Sequence, residues 1–200
     1  MNKNQILKEY YGYNNLKKEQ EEIIDYIMDN LEVIGLLPTG YGKSITFQIP
    51  ALLLTGITIV VTPLISLMQD QVRTLKERYI KAEYINSLQD EFEQEIIYKK
   101  ILGGKVKILY VSAERLLTQR FKTFMKNINI SLIVCDEAHT LLWGEDFREA
   151  LFKISEFIDV LIPRPRILAL TATATNNTID VIKKVLKKIA IMLKILKMMI

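Results

Sequence analysis

Cysteine and histidine are almost absent from the sequence: Cys135 and His139 are single copies among 200 residues. One cysteine closes no disulfide within the chain. One cysteine with one histidine cannot assemble a four-ligand zinc site, so a disulfide scaffold and a zinc module are both excluded. Long hydrophobic runs are absent as well. Met1–Tyr11 is polar and charged, without the apolar core of a secretory signal. No run reaches the ~18 residues of a membrane-spanning helix, and the apolar stretch Ile189–Leu193 stops at Lys194. These absences fit a reducing, cytoplasmic setting, with no zinc and no membrane span. The charge is not lopsided either: 27 Lys and Arg face 23 Asp and Glu, a net charge of +4. That excess suits an anionic partner such as nucleic acid without identifying one. What the chain does have is apolar residues, 50% of the total. They are enough for one sizeable core, in a length too short for two ordinary domains.

No internal repeat or low-complexity linker divides the chain. Short apolar runs alternate with charged helical stretches. Val33–Leu37, Ile57–Val61, Val106–Val111, Leu132–Cys135 and Ile167–Leu170 read as buried strands. Leu16–Leu31 and Glu91–Leu102 read as helices between them. Strands alternating with helices predict an α/β domain, a parallel sheet with helices on both faces. Near-continuous apolar strands are what a sheet covered on both sides requires. In such a sheet ligands gather at the carboxyl ends of the strands.

Polar motifs stand there. Leu37-Pro38-Thr39-Gly40-Tyr41-Gly42-Lys43-Ser44 follows the first strand and precedes a helical pattern. Glycines let the backbone turn its N–H groups toward a phosphate, and the helix N-terminus adds a positive dipole end. Lys43 is placed to reach terminal phosphates and the Ser44 hydroxyl to hold Mg²⁺. Leu37 stands where the strict pattern has its first glycine. After the fourth strand comes Asp136-Glu137-Ala138-His139. Asp136 is the partner for the Ser44 metal site, directly or through water, and Glu137 is placed to orient or deprotonate an attacking water. Thr171-Ala172-Thr173 follows the fifth strand. Its hydroxyls are candidates for hydrogen bonds to the Asp136/His139 cluster, or simply the residues of a loop.

From Tyr11 to Leu186 the order and wording of these strings resemble the RecQ-type helicases of superfamily 2. The resemblance implies a RecA-like P-loop domain that binds ATP and Mg²⁺, with Lys43, Asp136 and Glu137 catalytic and Thr39, Gly40, Gly42 and Ser44 in the phosphate loop. It also implies coupling roles for His139, Thr171 and Thr173. Tyr11-Gly12-Tyr13, Leu16-Lys17 and Gln20 look like the family's adenine motif. By that likeness Tyr13 stacks on the base, Lys17 flanks it and Gln20 bonds its edge. Thr62-Pro63-Leu64-Ile65-Ser66 looks like a motif that contacts the nucleic-acid backbone through Pro63 and Ser66. Ser112-Ala113-Glu114-Arg115 looks like another, with alanine in place of the usual proline; Arg115 either binds phosphate or pairs inside the fold. Trp143-Gly144-Glu145-Asp146-Phe147-Arg148 resembles the aromatic-rich loop that senses single-stranded DNA. Trp143 and Phe147 either stack on bases, with Arg148 adding a cation, or anchor a core. The stretch before Trp143 is one residue shorter than in the family, and Glu145 replaces a histidine.

The expected partner is single-stranded or partly duplex DNA, with RNA an open alternative. The resemblance covers 1–186 as the ATP-binding half and stops there. Residues 187–200 are a basic, apolar tail whose lysines fall on one half of a helical wheel, either a membrane-surface helix or an incidental tail. The second RecA-like domain, which in the family supplies an arginine finger, is expected to be missing. The alternative to a motor is a remnant that only binds nucleotide or nucleic acid.

Overall fold

The computed structural model describes residues 1–63, 65–138, 145–173, 175, 179–183 and 191–194, with backbone alone for 145–151 and 191–194. Among these residues lie strands β1 (Val33–Leu36), β2 (Ile57–Val61), β3 (Ala82–Ile85), β4 (Ile108–Val111), β5 (Ile130–Cys135), β6 (Arg166–Thr171) and β7 (Ile191–Lys194). They form one sheet in the order β3-β4-β2-β5-β6-β1-β7, and every neighbouring pair is parallel. The helices are α1 (Lys3–Tyr11), α2 (Lys18–Met28), α3 (Ile45–Leu53), α4 (Ile65–Glu77), α5 (Glu91–Leu102), α6 (Ala113–Leu116), α7 (Gln119–Met125) and α8 (Glu145–Asp159).

Side chains alternate across the strands, and each face has its own apolar layer. Val60, Ile108, Tyr110, Leu132 and Val134 pack with Ile23, Phe47, Met68 and Val72 from α2, α3 and α4. Ile59, Val61, Leu109, Ile133 and Cys135 pack with Ile97, Leu116, Phe121, Ile154 and Phe157 from α5 to α8. The two-sided parallel sheet is therefore as the sequence predicts. The helix boundaries follow local chemistry. Asn2 with Gln5, and Asp90 with Glu93, form reciprocal caps at the starts of α1 and α5, and Gly12 ends α1 at φ 72°.

Several elements differ from the sequence reading: β5 also takes in Ile130 and Ser131, and the helix read over Leu16–Leu31 spans Lys18–Met28. The strand expected from Val106 begins at Ile108. β3 is absent from the reading because Ala82-Glu83-Tyr84-Ile85 has no continuous apolar pattern. It is an edge strand, and its nearly buried Glu83 is held by Lys76 at 3.0 Å and Lys100 at 2.6 Å. A charge on an edge strand also discourages a further strand from adding there. Finally, the tail set on a helical wheel is strand over Ile191–Lys194, pairing with β1 from Val33↔Ile191 to Leu36↔Lys194.

Because every described strand runs the same way, the loops after β1, β2, β3, β4, β5 and β6 emerge at one edge of the sheet. No helix among the described residues is long and apolar enough to cross a membrane.

Candidate functional site

The loop from Leu37 to Ser44 leaves β1 at that edge. Gly40 (φ 75°) and Gly42 (φ 86°) are both left-handed, which L side chains rarely adopt. Gly42 is also a close approach: a Cβ there would stand 2.6 Å from Gln20 Nε2. Ser44 starts α3 without using its side chain as a cap, so its hydroxyl is not committed to the helix end.

Gln20 is 5% exposed and grips this loop. Its Nε2 donates to the carbonyls of Tyr41 (3.0 Å) and Gly42 (3.2 Å), while its Oε1 accepts from Lys17 N (3.0 Å). Both amide hydrogens are thus engaged by the protein, and Oε1 keeps one lone pair. Lys17 Nζ donates to the Tyr41 carbonyl at 3.2 Å and lies 3.9 Å from the Tyr41 ring centroid. The Tyr41 hydroxyl donates to Glu19, and that bond to a carboxylate pushes the phenol pKa up. Tyr13, Lys17, Gln20, Gly40, Tyr41 and Gly42 line a pocket of about 320 Å³.

Asp136 follows β5, and its N–H extends the ladder to the Val61 carbonyl at 2.9 Å. The next residue, Glu137, turns back at φ 51°, and its N–H donates to Asp136 Oδ1 at 3.0 Å. Burial first, then the charge of Glu137, push the Asp136 carboxyl up to about 6, against the pull of Lys43 and of that N–H. Lys43 forms its ion pair with Glu137, and both side chains are largely shielded, 11% and 25% exposed. The two motifs, 94 residues apart, therefore meet. Thr171 is buried beside the loop: its carbonyl accepts from Leu37 N at 3.0 Å, and its hydroxyl donates to the Thr173 carbonyl at 2.7 Å. Thr173 is exposed.

Of the residues expected to meet nucleic acid, Pro63 and Ser66 follow β2 and Arg115 follows β4 at the same edge. Pro63 is half-buried and Ser66 exposed. Arg115 donates through Nη2 to the Asn86 carbonyl at 3.1 Å, at the start of the loop after β3. His139 and Trp143 lie outside the described residues. Phe147 and Arg148 fall in α8, where only backbone is described.

Sequence reasoning missed several polar groups here. Strand register puts Asn86, Ser112, Thr62 and Asp136 side by side at the ends of β3, β4, β2 and β5. Asn86, Ser112 and Thr62 are all under 5% exposed. Asn86 Nδ2 and Ser112 Oγ have no partner among the described residues. Tyr11 donates to Gln48 Oε1 at 2.9 Å. A glutamine inside the apolar run Ile45–Leu53 was the available signal for this contact. None existed for the row of strand ends, because register is not visible in a sequence.

Comparison with known proteins adds to this geometry. Residues 17–181 match the family described as DEAD/DEAH box helicase. "ATP-dependent DNA helicase RecQ" of Bacillus subtilis (strain 168) is 42% identical over 184 residues, 90% of this chain and 31% of that protein. The protein of the same name from Pasteurella multocida (strain Pm70) is 40% identical over 174 residues, 86% of this chain and 27% of that protein. The chain thus spans less than a third of these two curated relatives. Among solved structures, "DUF1998 helicase MrfA bound to DNA" superposes with a TM-score of 0.78 at 17% identity, covering 95% of this chain and 29% of that one. The Pyrococcus furiosus Hef helicase domain does so with 0.66 at 20% identity, covering 86% and 36%. At these identities the likeness shows the fold, the RecA-like arrangement expected from the sequence.

Proposed function

The chain belongs to the DEAD/DEAH box helicase family, and on that premise we propose that it is the ATP-binding motor domain of a RecQ-type DNA helicase. In this reading it binds ATP with Mg²⁺ and single-stranded DNA, and it is the motor half of a full-length helicase that couples hydrolysis to strand separation. The observation that carries the proposal is the meeting of Lys43 with Glu137, beside Asp136 and next to the pocket of Tyr13 and Gln20.

The residues suit ATP. The N–H groups of the Thr39–Ser44 loop and the start of α3 form an anion cradle. Lys43 supplies the mobile cation for the terminal phosphates. Ser44 and Asp136 suit Mg²⁺, which takes one or two protein oxygens and completes its shell with phosphate and water. Bound there, Mg²⁺ neutralises charge on the phosphates. Glu137 is the group to orient or deprotonate the attacking water. Pro63 and Ser66 then offer a backbone-contacting edge. Arg115, Trp143, Phe147 and Arg148 are proposed to meet nucleic acid with them, and His139, Thr171 and Thr173 to couple that edge to the nucleotide. ATPase activity measured with and without single-stranded DNA tests the proposal. Hydrolysis that DNA stimulates supports it. Nucleotide turnover indifferent to DNA points to a different P-loop enzyme.

Base choice follows from Gln20. Its free lone pair accepts from an exocyclic amine such as that of adenine, whereas the O6 carbonyl of guanine would face it lone pair to lone pair. Wild type is expected to prefer ATP over GTP. Gln20→Ala loses that preference by about tenfold, the value of roughly one good hydrogen bond. Calorimetry with both nucleotides checks this, and equal binding of ATP and GTP by wild type would remove the assignment.

DNA binding is expected to be sequence-independent and to weaken as salt rises, with a log–log slope of about −0.7 per phosphate neutralised. Anisotropy titrations from low to physiological salt measure it, and a flat response would sink the backbone-contact reading.

A further inference from the structure

Tyr41 occupies a position of Thr39-Gly40-Tyr41-Gly42-Lys43-Ser44 whose side chain phosphate chemistry leaves free. Cradling a phosphate needs the backbone of that residue and not its side chain. Yet three residues from the start of α2 converge on it. Its carbonyl accepts from Lys17 Nζ (3.2 Å) and Gln20 Nε2 (3.0 Å). Its ring carries the Lys17 ammonium at 3.9 Å from the centroid. Its hydroxyl donates to Glu19. The pocket that Tyr13 and Gln20 line counts Tyr41 among its walls.

Tyr13 is 58% exposed, so on its own it holds a base against one face only. Lys17 is an exposed lysine on a flexible stem. A cation on such a stem loses rotamer freedom when it is fixed, and here the ring and the carbonyl of Tyr41 fix it at the pocket.

We propose that Tyr41 is a positioning residue for the nucleotide base: its ring closes the base pocket within the phosphate loop itself and holds Lys17 over that pocket. This inference rests on the nucleotide reading above. Its consequence is that the loop serves the base through the Tyr41 ring and the phosphates through its backbone. The Lys17 and Gln20 bonds go to the carbonyls of Tyr41 and Gly42 and do not depend on the ring.

The test separates base from phosphate. Affinities for ATP and for inorganic tripolyphosphate, both with Mg²⁺, are measured by calorimetry on wild type, Tyr41→Ala and Tyr41→Phe. Tyr41→Ala is expected to weaken ATP about fivefold to tenfold, the range for a lost aromatic and cation contact. Its tripolyphosphate affinity should stay near wild type. Tyr41→Phe keeps the ring and should retain most of the ATP affinity, losing only the Glu19 bond. A parallel loss of ATP and tripolyphosphate in Tyr41→Ala overturns the inference, since it marks a merely structural role for the loop. So does a Tyr41→Phe variant as weak as Tyr41→Ala. Wild type that binds ATP, with Tyr41→Ala binding it equally well, overturns the inference alone. Wild type that binds no ATP overturns the nucleotide reading, and this inference with it.

Discussion

Asp136→Asn is expected to raise the thermal midpoint at neutral pH while removing Mg²⁺-dependent nucleotide binding. The carboxyl sits at about 6 in the folded protein against an ordinary 3.8, mainly because burial disfavours its charged form. A carboxyl raised by folding stabilises the fold only while it is protonated. Its contribution is complete below about pH 4 and is lost as pH rises through about 6. At pH 7 the ionised group therefore costs stability. Each pH unit of the gap is worth about 1.4 kcal/mol, so ~3 kcal/mol is an upper bound. Asparagine keeps the shape and an oxygen for the Glu137 N–H without the charge. A gain of about 1–2 kcal/mol corresponds to roughly 2–8 °C in a chain of this size. Calorimetric scans at pH 7 and pH 4 measure it, and the difference between variant and wild type should shrink at the lower pH. A variant less stable at pH 7 would contradict the burial of this charge. The gain in stability with loss of function is what a site strained for ligand binding gives up when it is neutralised.

Lys43→Ala has the second large effect. Mg²⁺·ATP affinity is expected to fall about tenfold to a hundredfold, the value of a charge-assisted hydrogen bond of roughly 1.5–3 kcal/mol. The loss also strips Glu137 of this ion pair, and it removes the cation that pulls the Asp136 carboxyl down. The contrast is Glu137→Gln. In this geometry Glu137 competes with phosphate for Lys43, so removing its charge should leave nucleotide affinity unchanged or improved while hydrolysis falls. Calorimetry and a phosphate-release assay on both variants separate the roles. If Glu137→Gln weakens binding as much as Lys43→Ala, Glu137 does not compete with the nucleotide.

Much of the site was legible because its residues are neighbours in sequence. Thr39 to Ser44 is one turn, and Asp136-Glu137 is one strand end. Their reading needed only the apolar run before each, since a buried parallel strand must be apolar on both faces. The expectation that Gln20 meets a base came from resemblance alone. The grip of Gln20 on the Tyr41 and Gly42 carbonyls was not legible, because it joins residues more than twenty positions apart. The bond from Arg115 to the Asn86 carbonyl was not legible either, because it joins the segments that follow two different strands.

The sequence by itself determined the class of sheet, the order of the motifs and the chemistry each can carry, because periodicity, glycine conformation and side-chain functional groups are local properties. It did not determine which motif touches which. Pairing is set by strand order and register, and the order β3-β4-β2-β5-β6-β1-β7 brings late strands beside early ones. Tertiary structure therefore decided that Lys43 meets Glu137, that Asn86, Ser112, Thr62 and Asp136 share one row, and that Tyr41 is held by α2. It also decided that Ala82–Ile85 and Ile191–Lys194 are strands. Ala82–Ile85 lacks a continuous apolar run, and an apolar stretch as short as that ending at Leu193 does not choose between helix and strand; each gains its hydrogen bonds by lying along the edge of a sheet that the rest of the chain has built.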